Sequence, residues 1–221
     1  MAAAIDAIAG RLQDEPEEWR HVFNNVYRSA TPACSTRPNG FLRRVAGAIP
    51  PGAALDIGMG QGRNSLFVAA RGWQVTGFDT AEVGLAAAQR QALSAGLEIR
   101  TVWCSERMFP YGTDAWDLIV ATYCPLPLQS SRFVSSIKRA LRPGGLLLVE
   151  SFARDSPAGP HRLGIDVAAG ALAAAFADFD VLHDEETTGV ADWGGTESAL
   201  IRFLARRLTG QGPDHDCIPA F

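Results

Sequence analysis

The most uneven feature of the sequence is its near lack of lysine. Lys138 is the only lysine among 221 residues, whereas nineteen arginines are present, a bias that we interpret as genomic codon usage. Acidic residues outnumber basic ones, and the formal net charge is −4. Proteins that bind nucleic acid or an anionic membrane surface through charge carry a basic face. The composition therefore argues against both kinds of partner.

Cysteines are also few and scattered. The four cysteines, Cys34, Cys104, Cys124 and Cys217, form no C-x-x-C pair, and so neither a zinc site nor a disulfide framework is indicated. The tail segment 214–217 contains Asp, His and Cys, but four adjacent residues in a Gly/Pro-rich tail cannot all face one ion. We therefore expect no metal site and a reduced, cytoplasmic protein.

Long apolar runs are absent as well. No stretch reaches the roughly 20 residues that a membrane-spanning helix needs. The first ten residues lack a basic region and include Asp6, and we expect no signal peptide. A chain of 221 residues with 47% hydrophobic content suits a single domain. Within it we expect a helical cap (1–49), a core (50–207) and a flexible tail (208–221).

The predicted cap contains two helical patterns. One covers residues 2–12. The other begins at Pro16, a favoured first-turn residue, and places Trp19, Phe23 and Tyr27 four residues apart on one face. Such a face indicates either a helix packed permanently on the domain or a helix that closes over a binding site.

The stretch 53–79 has the pattern of a nucleotide-binding βαβ unit. Residues 53–57 form an apolar strand, and 74–79 form a second strand that ends in Asp79. The helix between them has Asn64 or Ser65 as its predicted cap and Gly72 at its end. Three glycines connect the first strand to this helix, and they allow positive φ and close approach of a ligand: Gly58, Gly60 and Gly62.

The spacing of these residues does not match a dinucleotide site. The third glycine of a G-x-G-x-x-G fingerprint would fall at position 63, where the chain has Arg63. Asp56 lies two residues before the first glycine, and a carboxylate there does not suit a pyrophosphate. It suits a ligand that carries an ammonium group and a sulfonium. An NAD(P) oxidoreductase is therefore disfavoured, and a cofactor panel would decide.

With Asp56, the glycines and the run 62–66, the chain resembles the class I S-adenosylmethionine (SAM)-dependent methyltransferases. It looks especially like their small-molecule branch, which includes tellurite-resistance-type enzymes. The resemblance implies that the glycine loop holds the amino-acid part of SAM, that Asp79 accepts from the ribose hydroxyls, and that Ser105, beside Glu106, takes the adenine position. The cofactor-binding residues expected on this basis are Tyr27, Asp56, Gly58, Met59, Gly60, Gly62, Asn64, Asp79, Thr80, Ser105, Glu106 and Thr122.

The remaining segments predict an α/β fold. Strands are expected at 99–104, 116–121, 146–152, 179–185 and 198–206, with helices at 41–49, 81–95, 131–141 and 166–176. The last two strands read as an antiparallel pair around the loop 187–196. Leu-Arg-Pro-Gly-Gly at 141–145 resembles another motif of the same family. The expected architecture is a Rossmann-like, doubly wound, mostly parallel sheet of seven strands with an antiparallel last strand and helices on both faces.

No convincing catalytic constellation is visible in the sequence. The fourth strand delivers Tyr123 and Cys124 to the carboxyl edge of the sheet, where ligands bind in open parallel sheets. His161, near Arg154 and Asp155, lies in a Pro/Gly-rich loop after the fifth strand. Tyr123 and His161 are therefore the catalytic candidates, with a wall residue and a solvated loop histidine as their plainer interpretations. His183, within a strand, is expected to be structural.

The predicted function is transfer of a methyl group from SAM to a small-molecule acceptor. The lack of a basic face and of an added domain supports such an acceptor. The alternative is a SAM-binding protein without methyl transfer, because the motifs report binding and not turnover. The acceptor, the methylated atom and the oligomeric state are left open by the sequence.

Overall fold

The computed structural model describes residues 17–28, 35–154 and 165–209. Several predicted features lie outside the described residues. They are the helix at 2–12, the side chain of Trp19, Cys34, Asp155, His161 and the tail segment 214–217. The helices and strands, numbered here in chain order, are α1 (Glu17–Arg28), α2 (Gly40–Ala48), β1 (Ala53–Ile57), α3 (Arg63–Ala69), β2 (Gln74–Asp79), α4 (Glu82–Ser94), β3 (Ile99–Trp103), β4 (Trp116–Thr122), α5 (Ser131–Ala140), β5 (Leu141–Ala153), β6 (Asp166–Val167), α6 (Ala171–Ala175), β7 (Asp180–Val190) and β8 (Glu197–Arg206).

One sheet organises these elements. Its strand order is β3-β2-β1-β4-β5-β8-β7, and β6 pairs with β5 off this path. The strands β3, β2, β1, β4 and β5 are parallel, whereas β8 is antiparallel to both of its neighbours. The predicted Rossmann-like class is confirmed. Parallel strands bring the carboxyl ends of β1 to β5 to one edge, and this edge positions the site.

Alternating side chains of the central strands build a core on each face. From β1, Leu55 and Ile57 pack with α5 and α6, whereas Ala54 packs with α2, α3 and α4. In β4, Ile119 and Ala121 face the side of the sheet covered by α5 and α6, whereas Leu118 and Val120 face the side covered by α2, α3 and α4. Strands buried on both faces read as continuous apolar runs, and for that reason the sequence predicted β1 and β4 well.

The region after β5 differs from the prediction. Residues 166–176 were expected to form one helix, but this is wrong: β6 occupies Asp166–Val167, and α6 begins only at Ala171. Val167 is buried in the core and the β6 backbone pairs with the end of β5. Gly170 has a φ of 70° and precedes the helix as its cap. The alanine-rich composition favoured helix over the whole segment, but sheet pairing and the glycine override that propensity.

The last two strands form the expected antiparallel pair, although they are longer than predicted. β7 extends to Val190 and β8 starts at Glu197, and so the connecting turn covers only residues 191–196. Among the described residues, no helix is long and apolar enough to cross a membrane.

Candidate active site

The glycine loop follows β1 at the carboxyl edge of the sheet. Gly58, Gly60 and Gly62 have φ values of 64°, 52° and 83°, the conformations that glycine adopts readily. The backbone N–H of Met59 donates to the carbonyl of Phe78, at 3.0 Å, and ties the loop to β2. The Met59 side chain is buried in the core. Met59 can therefore contact a ligand in the loop only through its backbone.

Asp79, at the end of β2, holds the loop and the start of α4 together. Its Oδ2 accepts from the N–H of Gly60 and its Oδ1 from the N–H of Ala81, both at 2.8 Å. Burial raises the pKa of Asp79, while the backbone hydrogen bonds from Ala81 and Gly60 act in the opposite direction. Each carboxylate oxygen has two acceptor sites, and Asp79 therefore keeps capacity for further donors.

The start of α3 corrects one prediction. Neither Asn64 nor Ser65 caps this helix: Gly62 is the N-cap, and it makes no side-chain hydrogen bond. The hydroxyl of Ser65 instead donates to Oδ2 of Asp56, at 2.6 Å. The Asn64 amide accepts from the N–H of Asn39 and donates to Oγ1 of Thr122, both at 2.9 Å. The N-cap therefore lies two residues before Asn64, and the first polar side chains of the helix turn into the protein.

Asp56 is an acid in an unusual setting. It is 3% exposed, and burial raises its pKa to about 6 against the opposing effects of the Ser65 hydrogen bond and the Arg63 charge. Burial disfavours the ionised form, and a cationic group placed nearby would restore it. The ionisation of Asp56 is therefore sensitive to a cationic group in its surroundings.

The adenine position predicted at Ser105 has a feature that fits a polar ligand. Ser105 is 1% exposed, and its hydroxyl oxygen has no hydrogen-bond partner among the residues that the structure describes. Glu106 follows it and is half-buried. Buried hydroxyls are normally satisfied, and an unpaired one beside the ends of β2 and β3 is consistent with a partner supplied by a bound molecule.

The acids predicted on three strand ends converge in the structure. Burial raises the pKa of the Cys124 thiol well above its usual range, and the charges of Asp56, Asp79 and Glu106 add to the rise. Cys124, just after β4, is therefore close enough to Asp56, Asp79 and Glu106 to interact with their charges. Cys124 also packs on the loop, since a Cβ added to Gly58 would lie 2.5 Å from the Cβ of Cys124.

Helix α1 places Tyr27 against the glycine loop. A Cβ on Gly60 would overlap the Tyr27 hydroxyl and lie 2.8 Å from its Cζ, and a Cβ on Gly84 would lie 2.9 Å from the same ring. Gly84 is inside α4, where glycine costs about 1 kcal/mol relative to alanine. Space for the Tyr27 ring explains it, and an isolated glycine in an alanine-rich helix was the sequence signal for this contact.

Residues at the start of α4 hold α1 in place. Oε1 and Oε2 of Glu82 accept from Arg20 at 3.2 and 3.1 Å, and Oε2 also accepts from the Asn24 amide at 2.8 Å. Asn24 Oδ1 in turn accepts from the N–H of Val83 at 3.1 Å. Partial burial raises the pKa of Glu82, but the bonds from Arg20 and Asn24 bring it down to about 2.

A buried polar network beyond the loop was missed by the sequence analysis. Glu150 in β5 is 2% exposed. Its oxygens accept from the Tyr123 hydroxyl at 2.6 Å, from the Asn39 amide at 2.6 Å and from Nε of Arg202 at 2.7 Å. A lone acid within the apolar strand Leu146 to Phe152 was the available signal. Its partners are distant in sequence, and no local pattern could name them.

This network decides what Tyr123 can do. Tyr123 has a φ of 51°, which is uncommon for a residue with a side chain, and its ring is buried against Phe152 and Trp193. Burial and the charge of Glu150 raise the pKa of its hydroxyl. A phenol that already donates to a carboxylate is a poor base, and the geometry favours the wall interpretation of Tyr123.

A second connection links the loop to the turn between β7 and β8. Nη1 of Arg63 donates to Oδ1 of Asp192 and to the carbonyl of Arg37, both at 2.9 Å. Oδ2 of Asp192 accepts from the Asn39 amide at 3.0 Å and from the N–H of Gly40 at 2.8 Å. The segment before α2 and the β7–β8 turn therefore meet at the carboxyl edge.

Of the remaining candidates, Arg154 directly follows β5 at this edge, His183 lies within β7, and Asp155 and His161 lie outside the described residues. Arg154 is exposed and its Nε donates to Oδ2 of Asp166 at 2.9 Å. His183, in β7, contacts the Phe41 ring and Glu185, a packing position. Within 17–28, 35–154 and 165–209, no group of three His, Cys, Asp or Glu side chains is arranged to hold a metal ion.

Comparison with known proteins agrees with this geometry. Residues 54–145, from β1 to the start of β5, match the family model described as "Methyltransferase domain". The match covers 92 of the 221 residues and indicates that this part of the chain is a methyltransferase domain. The resemblance to methyltransferases stated from the sequence is thereby confirmed. The cofactor of this family is SAM.

The individual proteins that this chain resembles are distant in sequence. It is 27% identical over 160 residues to hemagglutinin 1 of Eikenella corrodens, a match that covers 70% of this chain and 53% of that protein. The chain thus spans about half the length of this curated relative. Its fold is similar to that of TehB from Haemophilus influenzae, with a TM-score of 0.66, 22% identity, and coverage of 86% of this chain and 67% of the other.

A further similar structure contains a cofactor product. The N-methyltransferase NodS from Bradyrhizobium japonicum, in complex with S-adenosylhomocysteine, superposes with a TM-score of 0.63 at 19% identity, covering 86% of this chain and 98% of NodS. At this level of identity, the similarity shows a shared fold. The role of each residue in this chain must be argued from its own site.

Proposed function

We propose that this chain transfers a methyl group from SAM to a small-molecule acceptor. The observation that carries the proposal is the convergence, at one sheet edge, of the left-handed glycine loop, Asp79 and the unpaired buried hydroxyl of Ser105. These groups offer backbone and acceptor atoms for an amino acid, a ribose and a base. The match of residues 54–145 to a methyltransferase domain supports SAM as the molecule that they hold.

The proposed contacts follow the strand ends. The loop backbone at Gly58, Gly60 and Gly62 lies against the amino-acid part, with Asp56 as the charge partner of its ammonium group. Asp79, beside Thr80, accepts from the ribose hydroxyls through its remaining acceptor sites. Ser105 and Glu106 face the adenine. Asn64 and Thr122, which bond one another, shape the wall between loop and acceptor.

SAM supplies the activated methyl group and its leaving group, and so the protein's main task is to orient the acceptor. Proximity and orientation can remove about 7–11 kcal/mol of a barrier. A general base is required only for acceptors that are protonated at neutral pH. The inward, Glu150-bonded hydroxyl of Tyr123 supports a positioning role for that residue, while His161 stays a candidate.

The experiment for the proposed function is a methyl-transfer screen. Purified protein is incubated with SAM and with thiols, phenols, amines and chalcogen oxyanions in turn, and released S-adenosylhomocysteine is measured. Acceptor-dependent release identifies the acceptor class. SAM binding without release for any class contradicts methyl transfer to such acceptors, and binding of NADH in place of SAM contradicts the cofactor.

Replacing Asp79 with alanine should weaken SAM binding by about 1–3 kcal/mol, the usual cost of losing a charge-assisted hydrogen bond. Calorimetry would compare S-adenosylhomocysteine with its 2′-deoxyribose analogue in both proteins. Wild type should prefer the natural ribose, and Asp79→Ala should lose this preference. A folded variant that still prefers it shows that Asp79 does not hold the ribose.

We further propose that α1 forms a lid over the cofactor, with Tyr27 as its contact residue. The Tyr27 hydroxyl lies at Gly60, in the loop that the proposal gives to SAM. Part of the attachment of α1 is the part-exposed ion pair between Arg20 and Glu82, and such a pair adds little to the cost of local opening. The competing arrangement is a helix packed there permanently.

The lid is tested by amide hydrogen exchange. If α1 closes over the cofactor, SAM should slow exchange across Glu17–Arg28, because ordering a lid reduces local opening. Tyr27→Ala should then lower cofactor affinity or turnover more than the melting temperature. Equal exchange with and without SAM, together with normal binding and a lower melting temperature in Tyr27→Ala, would show that α1 is only a packed helix.

A further inference from the structure

Trp193 is a large aromatic residue in an otherwise exposed turn. It lies in the β7–β8 turn, and the residues that follow it, 194–197, are exposed. Its indole stacks on the Tyr123 ring and meets the Phe152 ring edge-on, with centroids 6.4 Å apart in both pairs. The indole is half-buried, whereas Tyr123 and Phe152 are buried. The turn therefore presents part of one aromatic side chain at the surface, backed by two interior rings.

Hydrogen bonds hold this turn in place on both sides of the indole. Asp192, the preceding residue, accepts from Arg63 at 2.9 Å and from the Asn39 amide at 3.0 Å. The carbonyl of Trp193 itself accepts from the N–H of Ser35 at 2.9 Å. A surface that is ordered before a ligand arrives loses little conformational freedom on binding. The indole is therefore suited to act as a rigid wall.

The strands place this wall on one half of the carboxyl edge. Tyr123 directly follows β4, and Phe152 is the last residue but one of β5. The proposed adenosine contacts lie at the ends of β2 and β3, on the other side of β1 in the strand order. Ligands of open parallel sheets bind outside the carboxyl ends of the strands. Trp193 therefore borders the half of the edge that the proposed adenosine contacts leave to the acceptor.

The polar groups behind the indole are engaged with one another. The Tyr123 hydroxyl donates to Glu150 at 2.6 Å, and so Tyr123 turns its ring, and not its hydroxyl, toward Trp193. Glu150 also accepts from the Asn39 amide and from Arg202. With these carboxylate oxygens occupied, the surface that this corner offers to a ligand is chiefly an aromatic plane.

We propose that Trp193 is a specificity-determining residue that packs against the methyl acceptor, and that this acceptor carries an aromatic ring. Aromatic rings attract one another through offset-stacked and edge-to-face arrangements, beyond the area that they bury. An indole face therefore favours a planar ring over a puckered alicyclic ring of similar size. The inference rests on the proposed function and names the class of acceptor for the same site.

The alternative is that the indole only anchors the turn. Trp193→Leu keeps an apolar side chain on the cluster and removes the aromatic plane. Phe152→Leu makes the same kind of change at a ring that is 3% exposed. An anchor predicts lower stability in both variants, with unchanged preference between aromatic and alicyclic ligands. An acceptor wall predicts a changed preference in Trp193→Leu and not in Phe152→Leu.

The first experiment measures the binding of phenol and cyclohexanol, both uncharged at neutral pH, to protein loaded with S-adenosylhomocysteine. Ligand-observed NMR titrations would compare wild type with its variants. Wild type should prefer phenol, and Trp193→Leu should reduce this preference by roughly 3- to 10-fold, the usual worth of an aromatic pair. Trp193→Phe should retain most of it, because a ring is still present.

Gly194→Ala is the matched control in the same turn. No atom of the described part of the chain lies within 4 Å of a Cβ added at Gly194, and we expect this variant to bind both probes as wild type does. A second measurement follows S-adenosylhomocysteine release with benzenethiol and with cyclohexanethiol as acceptors. The ratio of the two rates, compared between Trp193→Leu and wild type, cancels the different intrinsic reactivities of the thiols. This ratio should fall in Trp193→Leu.

The outcomes separate the two roles of the indole. Wild type without a preference for phenol, or a preference that Trp193→Leu fully retains, overturns the proposal. Equal losses of both probes in Trp193→Leu and Phe152→Leu also overturn it, because the indole then only holds the turn. Wild type that binds no SAM refutes the proposed function instead. The phenol and cyclohexanol titrations, run on protein without nucleotide, then still decide for Trp193.

Discussion

Replacing Gly60 with valine should abolish SAM binding, with a loss of affinity of roughly 100-fold or more. Gly60 has a φ of 52°, and a Cβ there would overlap the Tyr27 hydroxyl. The branched side chain would enter the space between loop and α1, where the proposed function places the cofactor. Left-handed backbone also disfavours residues with a Cβ by about 1–2 kcal/mol, and so part of the effect is strain.

A matched control separates strain from occupied space. Gly96 follows the end of α4 with a φ of 64°, and no atom of the described part of the chain lies within 4 Å of a Cβ added there. Gly96→Val should therefore lose stability to a similar extent and bind SAM normally. In Gly60→Val, the second change Tyr27→Ala removes the clash with the lid. Recovery of normal SAM affinity in that double variant would show that the loop is close to Tyr27 and not to the cofactor.

Replacing Glu150 with alanine should lower the free energy of unfolding by about 3–5 kcal/mol, the cost of breaking a buried ion pair from one side. Tyr123, Asn39 and Arg202 would each lose an acceptor. Burial alone would lower the pKa of Arg202, but the hydrogen bond and charge of Glu150 raise it above its usual value. Without Glu150, that cation loses its main counter-charge.

Urea unfolding with two comparison variants would test this result. Glu185 is the other acid that contacts Arg202, at 3.5 Å, and it is 40% exposed. Glu185→Ala should cost no more than about 1 kcal/mol, as exposed ion pairs do. Replacing Glu150 and Arg202 together with methionine should destabilise less than Glu150→Met alone, because no charge is left buried. Equal losses for Glu150→Ala and Glu185→Ala would contradict a central role of this network.

The amino-acid sequence by itself determined the βαβ unit and the resemblance to methyltransferases. The strands at 53–57 and 74–79 have the predicted bounds, and Gly58, Gly60 and Gly62 adopt the positive φ that their spacing indicated. These features depend on neighbours within a few residues, since burial on both faces gives apolar runs and tight loops require glycine. Because β2 and β3 are parallel, their carboxyl ends lie at the same edge of the sheet, and so do Asp79 and Ser105.

Tertiary structure alone decided the chemistry around Arg63, Tyr123 and Glu150. Their hydrogen bonds join positions as distant in the chain as Asn39, Glu150 and Asp192. Such partners decide whether a tyrosine at a strand end faces the ligand or the interior. They also decide whether Asn64 and Ser65 cap the helix or bond to other parts of the protein. A polar side chain is satisfied by whichever group the fold brings within about 3 Å. The spacing of residues in the sequence does not predict these hydrogen-bond partners, because the partners come together only when the sheet forms.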